Sequence, residues 1–168
     1  MTSVALGEPL FDVHTVARYL YNLKSTITPL KLQKSLYFLF AYHGALYARH
    51  PEEGEFEGTV ANPRWLFDAQ FEAWQYGPVI KEVWICDKNG EYFQDAEAIK
   101  CAVDVVGGEP EVETFIKELF AQIDEVSDFK LVERSHADKC WKDAYRKGQS
   151  TPMDNEAIIA EYVERYVV

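Results

Sequence analysis

Two imidazoles and one carboxylate are the residues of this chain best suited to chemistry: His43, Glu72 and His136. Within hydrogen-bond reach of one another they would form a general acid–base site, because histidine titrates near neutral pH and a carboxylate can orient its ring. They are far apart along the chain, so only a fold would join them. The plainer reading makes His43 a hydrogen-bonded core residue on an apolar helix and has His136 fix the end of its own helix through its ring nitrogens. His136 and Cys140 have the i, i+4 spacing that puts two zinc ligands on one helical face, but two further ligands would have to come from elsewhere. An ordinary thiol is the plainer reading of Cys140. Glu72 lies between Phe71 and Trp74, where a buried carboxylate would need a partner such as Lys31 or Lys34. The alternative puts Glu72 on the solvent side of a strand. The chain has no phosphate-binding loop, dinucleotide glycine fingerprint, HExxH or nucleophile elbow. The expectation is a protein that is not an enzyme, with no cofactor and no metal.

Positioning falls to a series of helices. Asp12 can cap a first helix with Val13, Val16, Ala17 and Leu20 on its apolar face and Tyr21 at the edge. A turn over Asn22 to Thr26 leads to Thr28-Pro29, a cap oxygen followed by a residue that needs no amide partner in the first turn. The helix that follows should reach Tyr47. Its stripes, Leu32-Leu36-Leu39-His43-Tyr47 and Tyr37-Phe40-Ala41-Gly44, cover more than half its circumference, which predicts the central helix of the molecule. His50 to Pro63 is acidic and holds Pro and Gly, and reads as an exposed loop. Leu66 to Trp74 alternates imperfectly and reads as an irregular strand, ended by Gly77-Pro78, with Pro78 opening a short helix through Val79, Val83 and Trp84. Lys88-Asn89-Gly90 is a turn. A short helix around Glu97 to Cys101 and a loop at Gly107-Gly108 precede a stronger helix from Pro110, with Val112, Phe115, Ile116, Leu119, Phe120 and Ile123 inward. Phe129 to Ala137 forms another helix around Leu131 and Val132. Trp141, Ala144 and Tyr145 extend an apolar patch to Gly148. Asp154 caps a last helix that buries Ile158, Ile159, Tyr162, Val163 and Tyr166. The fold class is mainly α, a compact single-domain helical fold with a small irregular β element around residues 65–76.

The segment Phe71-Glu72-Ala73-Trp74-Gln75-Tyr76-Gly77-Pro78-Val79 joins large aromatics, an acid and a Gly-Pro break, which suggests a shaped junction rather than a plain element. Trp74, Tyr76, Trp84, Trp141 and Tyr145 would be rigid anchors if exposed, although core packing is the plainer reading of each.

The chain has 168 residues, enough for one core. Its 17 basic residues against 28 acidic ones give a net charge of −11 with no offsetting basic block. Such a surface repels nucleic acid and attracts a basic protein face. Three widely spaced cysteines without a CxxC pair fit a reducing compartment. No signal peptide or long apolar run is present, so the expectation is a soluble, cytoplasmic protein that does not engage a membrane. The Tyr162 to Val168 end would form a symmetric contact between copies or cover the core.

Thr28-Pro29-Leu30-Lys31-Leu32-Gln33-Lys34 with Leu36-Tyr37-Phe38 and His43, then Phe71-Glu72-Ala73-Trp74 with Tyr76-Gly77-Pro78-Val79, and later Ser135-His136 with Trp141 and Ala144, together resemble the Panacea domain. This SocA-like, phage-associated antitoxin family was formerly catalogued as a domain of unknown function. The resemblance runs from about Asp12 to Tyr166. It implies an N-terminal lead over residues 1–11 and an antitoxin domain over residues 12–168. It also implies a mostly helical domain of prophages and toxin–antitoxin operons that neutralises a cognate protein toxin by direct binding. A SocA-like member is instead an adaptor that delivers its toxin to the ClpXP protease, and a phage-associated protein without a toxin partner is a further alternative. The signature positions carried over, for partner binding or for holding the fold, are Leu32, Gln33, Lys34, Tyr37, His43, Glu72, Trp74, Tyr76, Gly77, Pro78, His136 and Trp141. The chain departs from the pattern in the long acidic stretch from His50 to Pro63 and in Ser35, where an aliphatic residue is usual. No DNA-binding segment precedes Asp12, so this chain alone is not expected to bind nucleic acid or regulate an operon.

Overall fold

A computed structural model describes residues 8–47 and 64–166, and the loop expected from His50 to Pro63 lies outside them. The described residues form a mainly helical fold with a small β element. Its helices are α1 (Val13–Leu23), α2 (Pro29–Tyr47), α3 (Lys81–Lys88), α4 (Ala96–Gly107), α5 (Pro110–Asp124), α6 (Asp128–His136), α7 (Lys139–Arg146) and α8 (Asn155–Tyr166). The strands are β1 (Phe71–Trp74), β2 (Gly77–Ile80) and β3 (Thr151–Pro152), in the antiparallel order β2-β1-β3.

Helix α2 is the axis of the molecule. Every residue from Lys31 to Ala41 is buried, and the helix packs against α8, α5, α6, α3, α1 and β2. Its apolar circumference requires neighbours on all sides, since a helix that is hydrophobic all round finds no favourable surface in water. Gly44 permits a close approach to α8: a Cβ there would sit 2.5 Å from Ile159 Cγ1. Phe40 and Tyr37 pack against Phe71 of β1 with ring centroids 5.5 Å apart, and Phe40 lies 5.3 Å from Phe67, so the sheet is joined to the helix through aromatics. Each such pair adds about 1 kcal/mol beyond the area it buries.

The expected caps form. Asp12 Oδ1 accepts from His14 N at 2.8 Å, Thr28 Oγ1 from Lys31 N at 3.1 Å and Asp154 Oδ1 from Glu156 N at 3.0 Å. Two boundaries differ from expectation. Pro78 does not open a helix; it lies in β2, paired with Ala73, and α3 begins only at Lys81. The β element accordingly runs later than residues 65–76, and Thr151–Pro152 adds a third strand. Pro78 is tolerated because β2 is at the edge of the sheet, where a missing amide breaks no ladder. Helix α4 is longer than the Glu97 to Cys101 segment; Asp95 Oδ1 caps it at Ala98 N, and it packs along α1. Leu10 and Phe11 donate backbone bonds to Trp65 and Leu66, so the fold reaches back before Asp12. At the other end Tyr162 is buried while Tyr166 is half exposed, against the expectation that both are inward. No helix among the described residues is long and apolar enough to cross a membrane.

Candidate functional site

The β1–β2 hairpin is a braced projection. Trp74 pairs with Gly77 across a turn of Gln75 and Tyr76. Neither turn residue has positive φ; the reversal is completed by Gly77 at φ 109°, a conformation open to glycine and costly to other residues. Space imposes the same choice, because a Cβ at Gly77 would collide with Ser135 Oγ and lie 2.7 Å from Lys34 Cε.

Four side chains from three helices hold the hairpin. Gln33 of α2 acts as a surrogate strand for the edge: its Oε1 accepts from Ile80 N at 2.8 Å and its Nε2 donates to Ile80 O at 3.2 Å. Lys34 Nζ donates to Pro78 O at 3.0 Å. On the other strand and its turn, Trp141 Nε1 donates to Trp74 O at 3.0 Å, and His136 Nε2 meets Gln75 O at 2.9 Å. A carbonyl only accepts, so the His136 proton sits on Nε2. The His136 ring stacks on Trp141 at 4.1 Å and Trp141 on Tyr145 at 4.8 Å, which makes the brace a stiff aromatic column. The carbonyls of Trp74, Gln75, Pro78 and Ile80 thereby have side-chain partners, and Tyr76 is carried outward at 60% exposure.

Beside this projection lies a groove of about 360 Å³. Trp74 and Tyr76 of the hairpin, Leu30 and Lys34 of α2, and Trp84 of α3 are among the residues that line it. The Trp74 and Trp84 rings are 5.6 Å apart, Glu72 accepts the Trp74 indole N–H at 2.8 Å, and Lys88 Nζ sits 4.9 Å from the Trp84 ring centre. Each of the two indoles thus has a charged side chain against it. Lys34 is 1% exposed, and burial pushes its pKa down to about 7. Among the described residues none that lines the groove is acidic.

A second polar knot supports the brace. Asp138, 1% exposed between α6 and α7, accepts from Tyr37 Oη at 2.5 Å and Tyr162 Oη at 2.6 Å and pairs with Arg165 at 2.8 Å. Burial, joined by the charge of Asp138, holds both tyrosines well above the ordinary phenol range, so they remain donors. Glu161 of α8 accepts from the backbone N–H groups of Lys139 and Cys140, each at 2.8 Å, satisfying the start of α7.

The expected site residues thus divide. Gln33, Lys34, Trp74, Tyr76, Gly77, Pro78, His136 and Trp141 meet at the hairpin and groove. Leu32 is core, and Tyr37 belongs to the Asp138 knot. His43 belongs to neither. It is 2% exposed, contacts Tyr47 and Phe115 with ring centroids 5.1 and 5.8 Å away, and burial lowers its pKa to about 4. It sits nine positions beyond Lys34 on α2, roughly 13 Å further along the axis, so His43, Glu72 and His136 are not brought together. Its Nδ1 has no hydrogen-bond partner among the described residues. The chain breaks helix at Ala137 and Asp138, so His136 and Cys140 do not share a helical face. Cys140 Sγ instead lies 3.4 Å from Tyr37 Oη, and burial raises its pKa to about 12. Among the described residues no cluster of three or more His, Cys, Asp or Glu is placed to hold a metal. Glu72 finds neither lysine: Lys31 pairs with Asp124 and Lys34 bonds Pro78.

Sequence reasoning missed Asp138, Glu161 and Arg165. An Asp just after a helix end looks like an ordinary cap, and nothing local reveals that two tyrosines and an arginine converge on it. Comparison of the chain with protein-family models, with curated proteins and with solved structures finds no match.

Proposed function

We propose that this chain is an antitoxin of the Panacea type, which neutralises a protein toxin by direct contact through the β1–β2 hairpin and its groove. The observation that carries the reading is Tyr76, a large aromatic held out at 60% exposure on a turn whose flanking carbonyls are tied down by buried or half-buried side chains. An exposed aromatic on a preorganised support loses little entropy on binding, and such residues dominate interface energetics. The net charge of −11 supports a basic partner.

The test is co-expression with the product of the adjacent gene, read by growth rescue and by affinity of the purified pair. The expected result is a stoichiometric complex whose Kd rises at least tenfold in Tyr76→Ala, about 1.4 kcal/mol or more, while the variant keeps the parental Tm. Absence of a complex, or unchanged affinity in Tyr76→Ala, overturns the proposal. If instead the partner's half-life shortens only in cells with intact ClpXP, the adaptor reading replaces inhibition.

A further inference from the structure

Trp74, Tyr76 and Trp84 give the groove an aromatic lining, and Gln75 and Gln149 add neutral amides. The Trp74 indole N–H goes to Glu72, but the Trp84 indole N–H, the Tyr76 hydroxyl and the two side-chain amides have no partner among the described residues. All four can donate, and the indole can do nothing else. The one charged residue among those described in the lining, Lys34, is 1% exposed and bonded to Pro78 O. The groove is therefore a neutral aromatic strip with spare donors, set in a chain of net charge −11.

Polypeptides are recognised in a small number of ways, and the structure removes most of them here. Strand addition needs a free edge, whereas Pro78 of β2 has no N–H and Gln33 and Lys34 already engage Ile80 N, Ile80 O and Pro78 O. A helix about 10 Å across, anchored over several turns, needs a longer trough than one of about 360 Å³. A phosphate or a terminal carboxylate calls for exposed cations, and the lysine of this lining is buried. The polyproline II helix remains, and it docks in aromatic-lined grooves. Prolines have no N–H, so such a segment presents apolar rings and carbonyl acceptors, the complement of aromatic faces and unpaired donors. We infer that the groove takes a proline-rich segment of the partner in the polyproline II conformation, its rings against Trp74, Tyr76 and Trp84 and its carbonyls accepting from the Trp84 indole N–H and the Tyr76 hydroxyl.

Charge adds a second requirement. The strip is neutral while the chain around it is acidic, and Glu72, bonded to the Trp74 indole at 2.8 Å, puts a carboxylate beside this wall. The segment that fits carries a basic residue next to its prolines. A polyproline II helix is already ordered when free, so it loses little entropy on meeting a hairpin that is itself braced. The inference rests on the partner-binding reading and specifies what the partner presents.

The experiment titrates the full chain with fluorescein-labelled Pro-Pro-Leu-Pro-Pro-Arg amide, with the same peptide carrying alanine for every proline, and with one carrying glutamine for the arginine. Anisotropy and the indole ¹⁵N–H resonances are read. The proline peptide should bind at least about tenfold more tightly than the alanine peptide. It should move the Trp84 indole resonance and leave that of Trp141, which is committed to Trp74 O. The glutamine peptide should bind more weakly than the arginine peptide at low salt and equally at high salt. Tyr76→Ala, and Trp84→Phe, which keeps a ring and removes the N–H, should each weaken the proline peptide by roughly fivefold or more at the parental Tm. The comparison of peptides on the parental chain stands even if a variant folds poorly. Equal binding of the proline and alanine peptides, binding of neither, equal binding of the arginine and glutamine peptides at low salt, or unchanged affinity in both variants overturns the inference. So does tighter binding of a helix-forming alanine–leucine peptide of the same charge, which would make the groove a helix receptor. If a partner is captured through Tyr76 and the proline peptide does not compete with it, the mode is wrong and the partner reading survives. If the peptide binds and no partner is found, the groove's ligand stands and the antitoxin reading falls.

Discussion

Lys34 and His43 lie on the same helix, and burial depresses the proton affinity of both, to pKa values of about 7 and about 4. Their ordinary values are 10.5 and 6.5, so the unfolded chain binds more protons than the folded one between about pH 4 and 6.5 through His43, and between about pH 7 and 10.5 through Lys34. Stability therefore rises with pH across both windows and is lost on acidification, by up to about 1.4 kcal/mol per pH unit for each group. Urea unfolding measured from pH 4 to 10 checks this. His43→Leu should flatten the acid window and Lys34→Met the alkaline one, whatever each does to stability on the plateau. A variant whose slope equals that of the parent would mean that the side chain reaches water. The types and positions of these two residues were legible in the sequence, as were Gln33, Trp74 and Tyr76. Their burial state was not: the i, i+3, i+4 pattern of α2 shows that the helix is apolar but not which polar residues its neighbours will enclose.

The hairpin is the element on which the candidate site depends, and its geometry rests on Gly77. Replacing Gly77 with Ala forces a side chain into φ 109° and against Lys34 and Ser135. The expected cost is about 3 kcal/mol, combining backbone strain with overpacking. Gly107→Ala in α4, whose new Cβ would meet nothing nearer than Glu113 Oε1 at 3.8 Å, should instead be neutral or stabilising by up to about 1 kcal/mol. Thermal unfolding of the two variants side by side tests the contrast. Helix starts at this scale were readable because a cap acts within one turn, as at Asp12, Thr28 and Asp154. Pro78 was misread because the same residue suits a helix start and an edge strand. The choice was made by Gln33 and Lys34, which supply partners for β2 from a distant helix.

On the scale of the whole molecule, the net charge of −11 creates a field that should accelerate encounter with a basic partner. Raising the salt from roughly 0.05 to 0.5 M shortens the Debye length to a few ångströms. Stopped-flow measurement of the proposed complex should show kon falling by at least tenfold with koff nearly constant, whereas Tyr76→Ala should act mainly on koff. A salt-independent kon would remove charge from the account of partner choice.

By itself the sequence determined where most helices start, which helix is central, the mainly helical class and the sign of the surface charge. These follow from periodicity, capping and composition, which act locally or simply add along the chain. Only the tertiary structure decided that Gln33, Lys34, His136 and Trp141 brace one hairpin, that His43 lies elsewhere, and that Asp138 gathers Tyr37, Tyr162 and Arg165. Those contacts join residues remote in sequence, and they form only when packing around α2 has removed water from the groups that must then bond to each other.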